Sequence, residues 1–505
     1  MNKTLFILIA LLIPFSTSPI HSQSVDQASS SPKGSTPDHA RPLRLPDSPF
    51  LQGSFVLSPN PDAGHIPVPR TALSRDHEYD LVELIDVAER ENPETRLAWE
   101  RARNVAIGEG MAASTYLPVI TANVLGGYQG ASGQNSSFGA TVHNSGNVFG
   151  SVEAVSVEWL LFDFGGRKNI VGAARKLSDA SNIAFTGAHQ QVIYAVSIAY
   201  YAYVAAVERH QTAIKALTNA KEIEAAAEAR YDHGEGTVIE TAQARNLTAQ
   251  AQLFVVNTQG AEQQAYAALL AATGVSPLET IRIAPVMHHL LSTLDLAPVD
   301  QIVREALTRR PDVLAGYNML QASQASVRVA EAQNRPKIFL AGTGAYVNGQ
   351  LGLTAVPSIG EQLPTLNITG NQWNGTVLVG MSIPIFDGHR RANAIRQAKN
   401  DEDKAAATLD QVRLNAMREI VSAQIALRTS LAANDAALVL KATAQTSYDA
   451  TLDSYKQGVG TVTATVDAET HLFQAELAED DAYTSALSAA ATIAFATGTL
   501  GSAPR

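Results

Sequence analysis

The chain has 505 residues and no cysteine, which excludes disulfides, thiolate metal sites, a cysteine nucleophile and a lipid carried on an N-terminal Cys. Its net charge of −11 argues against a nucleic-acid binder held by phosphate contacts and would favour cations in any enclosed space. Aromatic residues make up only 6% while alanine is plentiful, a composition suited to long, closely packed helices.

Residues 1–22 read as a secretory signal peptide: Lys3 precedes an apolar run over 5–15, which is too short to span a bilayer comfortably. Residues 23–76 form a Pro- and Ser-rich leader without sustained period. Order begins near Tyr79, where Leu81, Leu84, Ile85 and Ala88 share one helical face that stops at Asn92-Pro93. Pro93 can start a second helix, running to Tyr116. After Pro118 the period becomes two, giving strands over about 118–128 and 150–162, joined by a Gly-, Ser- and Asn-rich loop at 129–147.

From Gly166 to Tyr231 little breaks a helix; about 65 residues at ~1.5 Å each make a rod of nearly 100 Å. The uncharged stretch 192–207 reads as helix packed on helix, because its counterpart at 417–431 carries Arg418, Glu419 and Arg428. The rod ends at a bend, Tyr231-Asp232-His233-Gly234-Glu235-Gly236-Thr237, and a returning helix completes a hairpin over about 166–273.

That bend occurs twice. Tyr231, Gly234, Gly236, Thr237 and Val238 return as Tyr455, Gly458, Gly460, Thr461 and Val462, a shift of 455 − 231 = 224. Phe162-Asp163 returns with the same shift as Phe386-Asp387, whereas Asn92-Pro93 faces Arg310-Pro311 with a shift of 311 − 93 = 218. Leu117-Pro118 faces Arg335-Pro336 with the same shift of 218, so the difference, 224 − 218 = 6, places an insertion between Pro336 and the Phe386-Asp387 motif of the later copy. The chain is thus a duplication, with repeat 1 over 77–289 and repeat 2 over 290–505. Repeat 2 has strands over about 336–346 and 375–386 and a helical hairpin over about 389–500.

Four strands cannot close a barrel, and lipid does not tolerate an open sheet edge, so the chain must oligomerise in the membrane. Two copies would bring eight strands and three would bring twelve. The lipid-facing residues are expected to be Val155, Val157, Trp159, Leu161, Val377, Val379, Met381 and Ile383.

The repeated strand pair, the Phe-Asp motifs opening each long helix, the Tyr-x-x-Gly bends and Leu472-Phe473-Gln474-Ala475-Glu476 resemble the TolC family of outer-membrane efflux proteins over about residues 79–500. The resemblance implies an α+β membrane protein: a homotrimer with one twelve-stranded β-barrel continuous with a long periplasmic α-helical barrel. It also implies an exit duct for drugs, metabolites or secreted protein, docked to a periplasmic adaptor and an inner-membrane pump. By the resemblance Gly234, Glu235, Gly236, Gly458, Val459 and Gly460 form the adaptor-contact tip. Asp163 and Gly165, with Asp387 and Gly388, form the strand-to-helix junctions, and Gly388 departs from the pattern by following Asp387 directly. At the gate Asp467 matches the second of two family acids, while the first falls on Ala464. The Arg that often closes the tip falls on Gly460. Glu240 with Tyr455 is then the candidate link between hairpins.

Asp163-Phe164-Gly165 lacks the other kinase signatures, and its Asp suits a helix cap. His288-His289 has no carboxylate at ligand spacing. The Gly108/Gly110 and Gly342/Gly344 pairs do not open a phosphate-binding helix. No enzyme, cofactor or metal is expected. The other reading is a soluble periplasmic coiled-coil scaffold, which leaves the alternating strands unexplained.

Overall fold

The computed structural model describes residues 64, 73–137, 140–285, 298–353 and 366–500. The chain divides into residues 1–65 and a body of residues 66–505, and every strand and α-helix among the described residues lies in the body. The expected signal peptide, most of the leader and the His288-His289 pair lie outside the described residues.

The first half runs β1 (Glu78–Tyr79), α1 (Leu81–Glu91), α2 (Pro93–Ser114), β2 (Val119–Ser137), β3 (Ala140–Phe162), α3 (Gly166–Asp232) and α4 (Val238–Thr273). After β4 (Arg282–Ile283), which pairs in parallel with β1, the order recurs as α5 (Val299–Leu307), α6 (Pro311–Ala332) and β5 (Lys337–Leu353). Then come β6 (Leu366–Thr369), β7 (Gln372–Ser382), α7 (Arg390–Lys456) and α8 (Val462–Ala496).

Local chemistry sets these boundaries. Asp80 and Glu83 make a reciprocal capping box at the start of α1, and Pro93 opens α2, where its missing N–H costs nothing. In each repeat the residue before the proline ties down the end of the returning helix. The Asn92 amide donates to the Ala272 carbonyl at 2.9 Å, and the Arg310 guanidinium donates to the Ala496 carbonyl at 2.9 Å. These carbonyls would otherwise be orphaned at a helix C-terminus. Arg310 is also held by Asp312 and Glu419, at 2.7 and 2.8 Å.

The largest apolar core joins Leu84, Val87 and Ala88 of α1 to Val192, Val196, Tyr200 and Val204 of α3 and Leu269 and Leu270 of α4. Each such Val or Leu contributes about 1.5–3 kcal/mol by leaving water. The uncharged stretch 192–207 therefore serves a helix–helix core. α3 is long and apolar enough to cross a membrane by composition, and part of that apolar surface, Val192, Val196, Tyr200 and Val204, packs on α1 and α4.

The main sheet is antiparallel in the order β2-β3-β5-β7, with β6 added beside the far end of β5. Three sequence expectations need correction. The loop at 129–147 is largely strand, for β2 and β3 stay paired from Val119↔Glu158 out to Ser137↔Ala140. Backbone pairing along an uninterrupted hairpin outweighs the low strand propensity of Gly, Ser and Asn. Likewise β5 runs on to Leu353. At the other end β7 stops at Ser382, short of 386, since Pro384 cannot donate to a ladder.

Candidate functional site

The register sorts the sheet into two chemically different faces. Ile120, Val157, Gly342 and Val377 form one row across the four strands, and Trp159, Leu340 and Val379 another beside it. The opposite face carries the row Thr121, Ser156, Thr343 and Thr376 and the row Asn123, Ala154, Ala345 and Asn374. On that second face Val152 and Val347 are buried against each other beside Ala154 and Ala345, as on the concave side of a curved sheet.

The apolar face is exposed in the single chain, Val377 and Val379 to 76% and 71%. Trp159 bounds it at the helix end, its indole N–H donating to the Tyr116 carbonyl at 2.9 Å. Tyr128 pairs with Phe149 at the far end, while Tyr346 and Trp373, with ring centroids 5.0 Å apart, lie four residues nearer the helices in the row of Val124 and Glu153. Ten residues separate Trp159 from Phe149. That is about 33 Å of strand, and Glu153 interrupts the apolar face within it. Two residues of the expected lipid-facing set differ: Leu161 sits at a bulge between Leu160 and Phe162, and Ile383 follows the last paired residue of β7. Within the chain β2 and β7 each pair on one side only, so both sheet edges are open among the described residues.

Each hairpin leaves the sheet through a junction with the same wiring. An oxygen of Asp163 accepts the backbone N–H of Arg167 at 2.6 Å, and Arg167 donates to the Leu161 carbonyl at 3.0 Å. Asp387 accepts from the Arg391 N–H at 3.1 Å, and Arg391 donates to the Pro384 carbonyl at 3.0 Å. Two successive left-handed residues turn the chain each time: Phe164 and Gly165 with φ of 52° and 93°, then Gly388 and His389 with 66° and 69°. The glycine has changed place between repeats, which accounts for the altered second motif.

At the far end of the hairpins the two glycines of each bend do different work. Gly234 and Gly458 take left-handed φ of 78° and 81°. Gly236 and Gly460 are needed for space, because a Cβ on either would lie 2.9 Å from the backbone nitrogen of Tyr231 or Tyr455. An Arg at position 460 has no room in this bend. Thr237 and Thr461 then cap α4 and α8 through their hydroxyls. Glu235 and Val459 stand exposed at the bends.

Tyr455 is 1% exposed. Its hydroxyl donates to Glu240 of α4 at 3.5 Å, so these two sequence-selected residues do meet, joining the two hairpins of one chain. Burial raises the phenol pKa, Glu240 adds to the rise and Arg230 opposes it. Asp467 is not part of this contact and lies on the exposed side of α8.

Sequence reasoning missed Arg230, which donates to the Tyr455 carbonyl at 2.9 Å and stacks over its ring. It also missed a line of acids on the buried face of α8. Asp480 accepts from the Thr212 hydroxyl at 2.7 Å, and Glu469 accepts from the Asn219 amide at 3.0 Å, both partners being on α3. Glu479 accepts from Lys441 of α7 at 2.8 Å. Burial raises the pKa of Glu476 and Asp480 and pushes Glu469 up to about 8. Four acids on one helical face were a visible signal, but helical period alone does not tell a solvated face from a buried one. Among the described residues no group of three His, Asp or Glu is placed to hold a metal ion.

The family model for outer membrane efflux proteins matches residues 84–275 and 302–499, one block per repeat and together more than half of the chain. The chain belongs to the outer membrane efflux protein family. It is 28% identical to Protein CyaE of Bordetella pertussis over 71% of each chain. It is 29% identical to the outer membrane efflux protein BepC of Brucella suis over 74% of this chain and 75% of that one. The structure superposes on the CmeC outer membrane channel of Campylobacter jejuni with a TM-score of 0.68, at 20% identity, covering 83% of this chain and 85% of that one. The efflux protein is therefore an outer-membrane protein of a transport family, and a soluble periplasmic scaffold is set aside. The family is one of channels and not an enzyme class.

Proposed function

We propose that three copies of the chain join their four-stranded sheets edge to edge into one twelve-stranded barrel, continuous with an α-helical barrel built from six hairpins that projects into the periplasm. The open edges of β2 and β7 carry this reading, supported by the apolar rows beside Trp159. Twelve strands leave a lumen wide enough for water, lined by the Thr121 to Thr376 and Asn123 to Asn374 rows. The assembly is a passive exit duct for small molecules or secreted protein. A periplasmic adaptor meets the tip residues Gly234, Glu235, Gly236, Gly458, Val459 and Gly460, and an inner-membrane pump supplies the cargo. Asp467, Glu240 and Tyr455 narrow and close the tip, and Asp163, Gly165, Asp387 and Gly388 hold the barrel on the helices. Reconstitution of the purified chain into planar bilayers tests the reading. Stepwise ionic conductance with cation preference is expected, and a bilayer that stays silent at all protein concentrations would contradict it.

A further inference from the structure

Glu469 points from α8 into the contact between the two hairpins and is 2% exposed. One carboxyl oxygen accepts from Asn219. The other has no hydrogen-bond partner among the described residues, and neither has the buried hydroxyl of Tyr448 on α7, which is close enough to feel the Glu469 charge. The surrounding cations are committed elsewhere: Lys441 to Glu479, Lys456 to Glu222, and Lys215 to the fields of Glu476 and Asp480. The titratable group that acts on Glu469 is Glu476 on α8, and those that act on Tyr448 besides Glu469 are Glu222 on α3 and Asp449, all acidic. Ala468 and Leu472, before and after Glu469 on α8, pack in an apolar cluster with Ala244 and Leu247 of α4. An ionised carboxylate here would bury a charge with one oxygen unpaired, a costly arrangement that a bound proton removes.

We propose that Glu469 is a proton-operated latch between the hairpins, neutral while α8 lies against α3 and ionised when they part, so that acid holds the tips together and alkali releases them. Each opening frees one proton per chain to solvent. The inference rests on the reading of the tips as the gate of a duct. The sign follows from proton affinity, since the arrangement that binds the proton more tightly is favoured at low pH. Burial, opposed by the Asn219 amide and reinforced by Glu476, lifts this carboxyl from 4.5 to about 8. The stabilisation is therefore complete below pH 4.5 and is lost as pH rises to about 8.

The absence of cysteine allows spin labels to be placed at will. Labels at Thr218→Cys on α3 and Thr470→Cys on α8, both exposed, report the separation of the hairpins in the detergent-extracted full chain. The distance is expected to lengthen between pH 5 and pH 9. With Glu469→Gln it should keep its pH 5 value at pH 9, while Glu222→Gln, an exposed member of the same contact, should keep the parental response. A distance that ignores pH, or one that changes equally with Glu469→Gln, would overturn the latch. Conductance recorded alongside separates the two readings: a chain silent at every pH fails as a duct, while the distances alone decide the latch.

Discussion

Arg230 and Tyr455 come from different repeats and meet at two points. The guanidinium donates to the Tyr455 carbonyl at 2.9 Å and lies 5.1 Å from the centre of its ring. The carbonyl belongs to the last turn of α7, where a cation is favoured, and it also accepts the Gly458 N–H at 3.0 Å. A charged hydrogen bond of this kind is worth about 1.5–3 kcal/mol. Arg230→Ala should therefore raise the open fraction of reconstituted channels about tenfold or more. An unchanged open fraction would place the closure elsewhere.

The two sheet faces should respond oppositely to charge. Val157 lies in the Ile120 to Val377 row and Ser156 in the Thr121 to Thr376 row. An arginine facing the bilayer midplane costs about 2–4 kcal/mol. Val157→Arg should cut the yield of assembled protein in outer-membrane fractions, while Ser156→Arg should leave it near the parental level. Equal yields would reverse or erase the assignment of the faces.

Asp467 is exposed on α8, about 1.7 turns beyond the Thr461 cap. Three such carboxylates facing one another would attract cations. Asp467→Asn should lower cation selectivity and weaken block by multivalent cations in single-channel recordings. If both stay as in the parent, the carboxylate faces away from the pathway.

His389 holds a φ of 69° where the first repeat has Gly165. A left-handed conformation costs a residue with a Cβ about 1–2 kcal/mol, and glycine avoids most of that. His389→Gly should raise the midpoint of thermal unfolding by about one to two degrees. A lowered midpoint would mean that the T-shaped contact of His389 with Phe386 outweighs the strain.

The shift of 224 residues made the bends and junctions legible, since Gly234 and Gly458, or Asp163 and Asp387, do the same physical work in both repeats. Features that break the repeat were not legible. Arg230 has Ser454 as its counterpart, so its bond to Tyr455 arises from a difference between copies. The outer parts of β2 and β3 look like loop in the sequence because their Gly, Ser and Asn residues carry no alternation, although the backbone ladder needs none. The apolar and polar rows are a property of register, which a single strand does not contain. The buried setting of Glu469 likewise depends on how α8 lies against α3.

The duct stands on the open edges of β2 and β7, and the number of chains that close them is countable. Native mass spectrometry of the detergent-extracted protein measures that number directly. Particles of three chains are expected, whereas a monomer or a dimer as the largest stable species would contradict the duct.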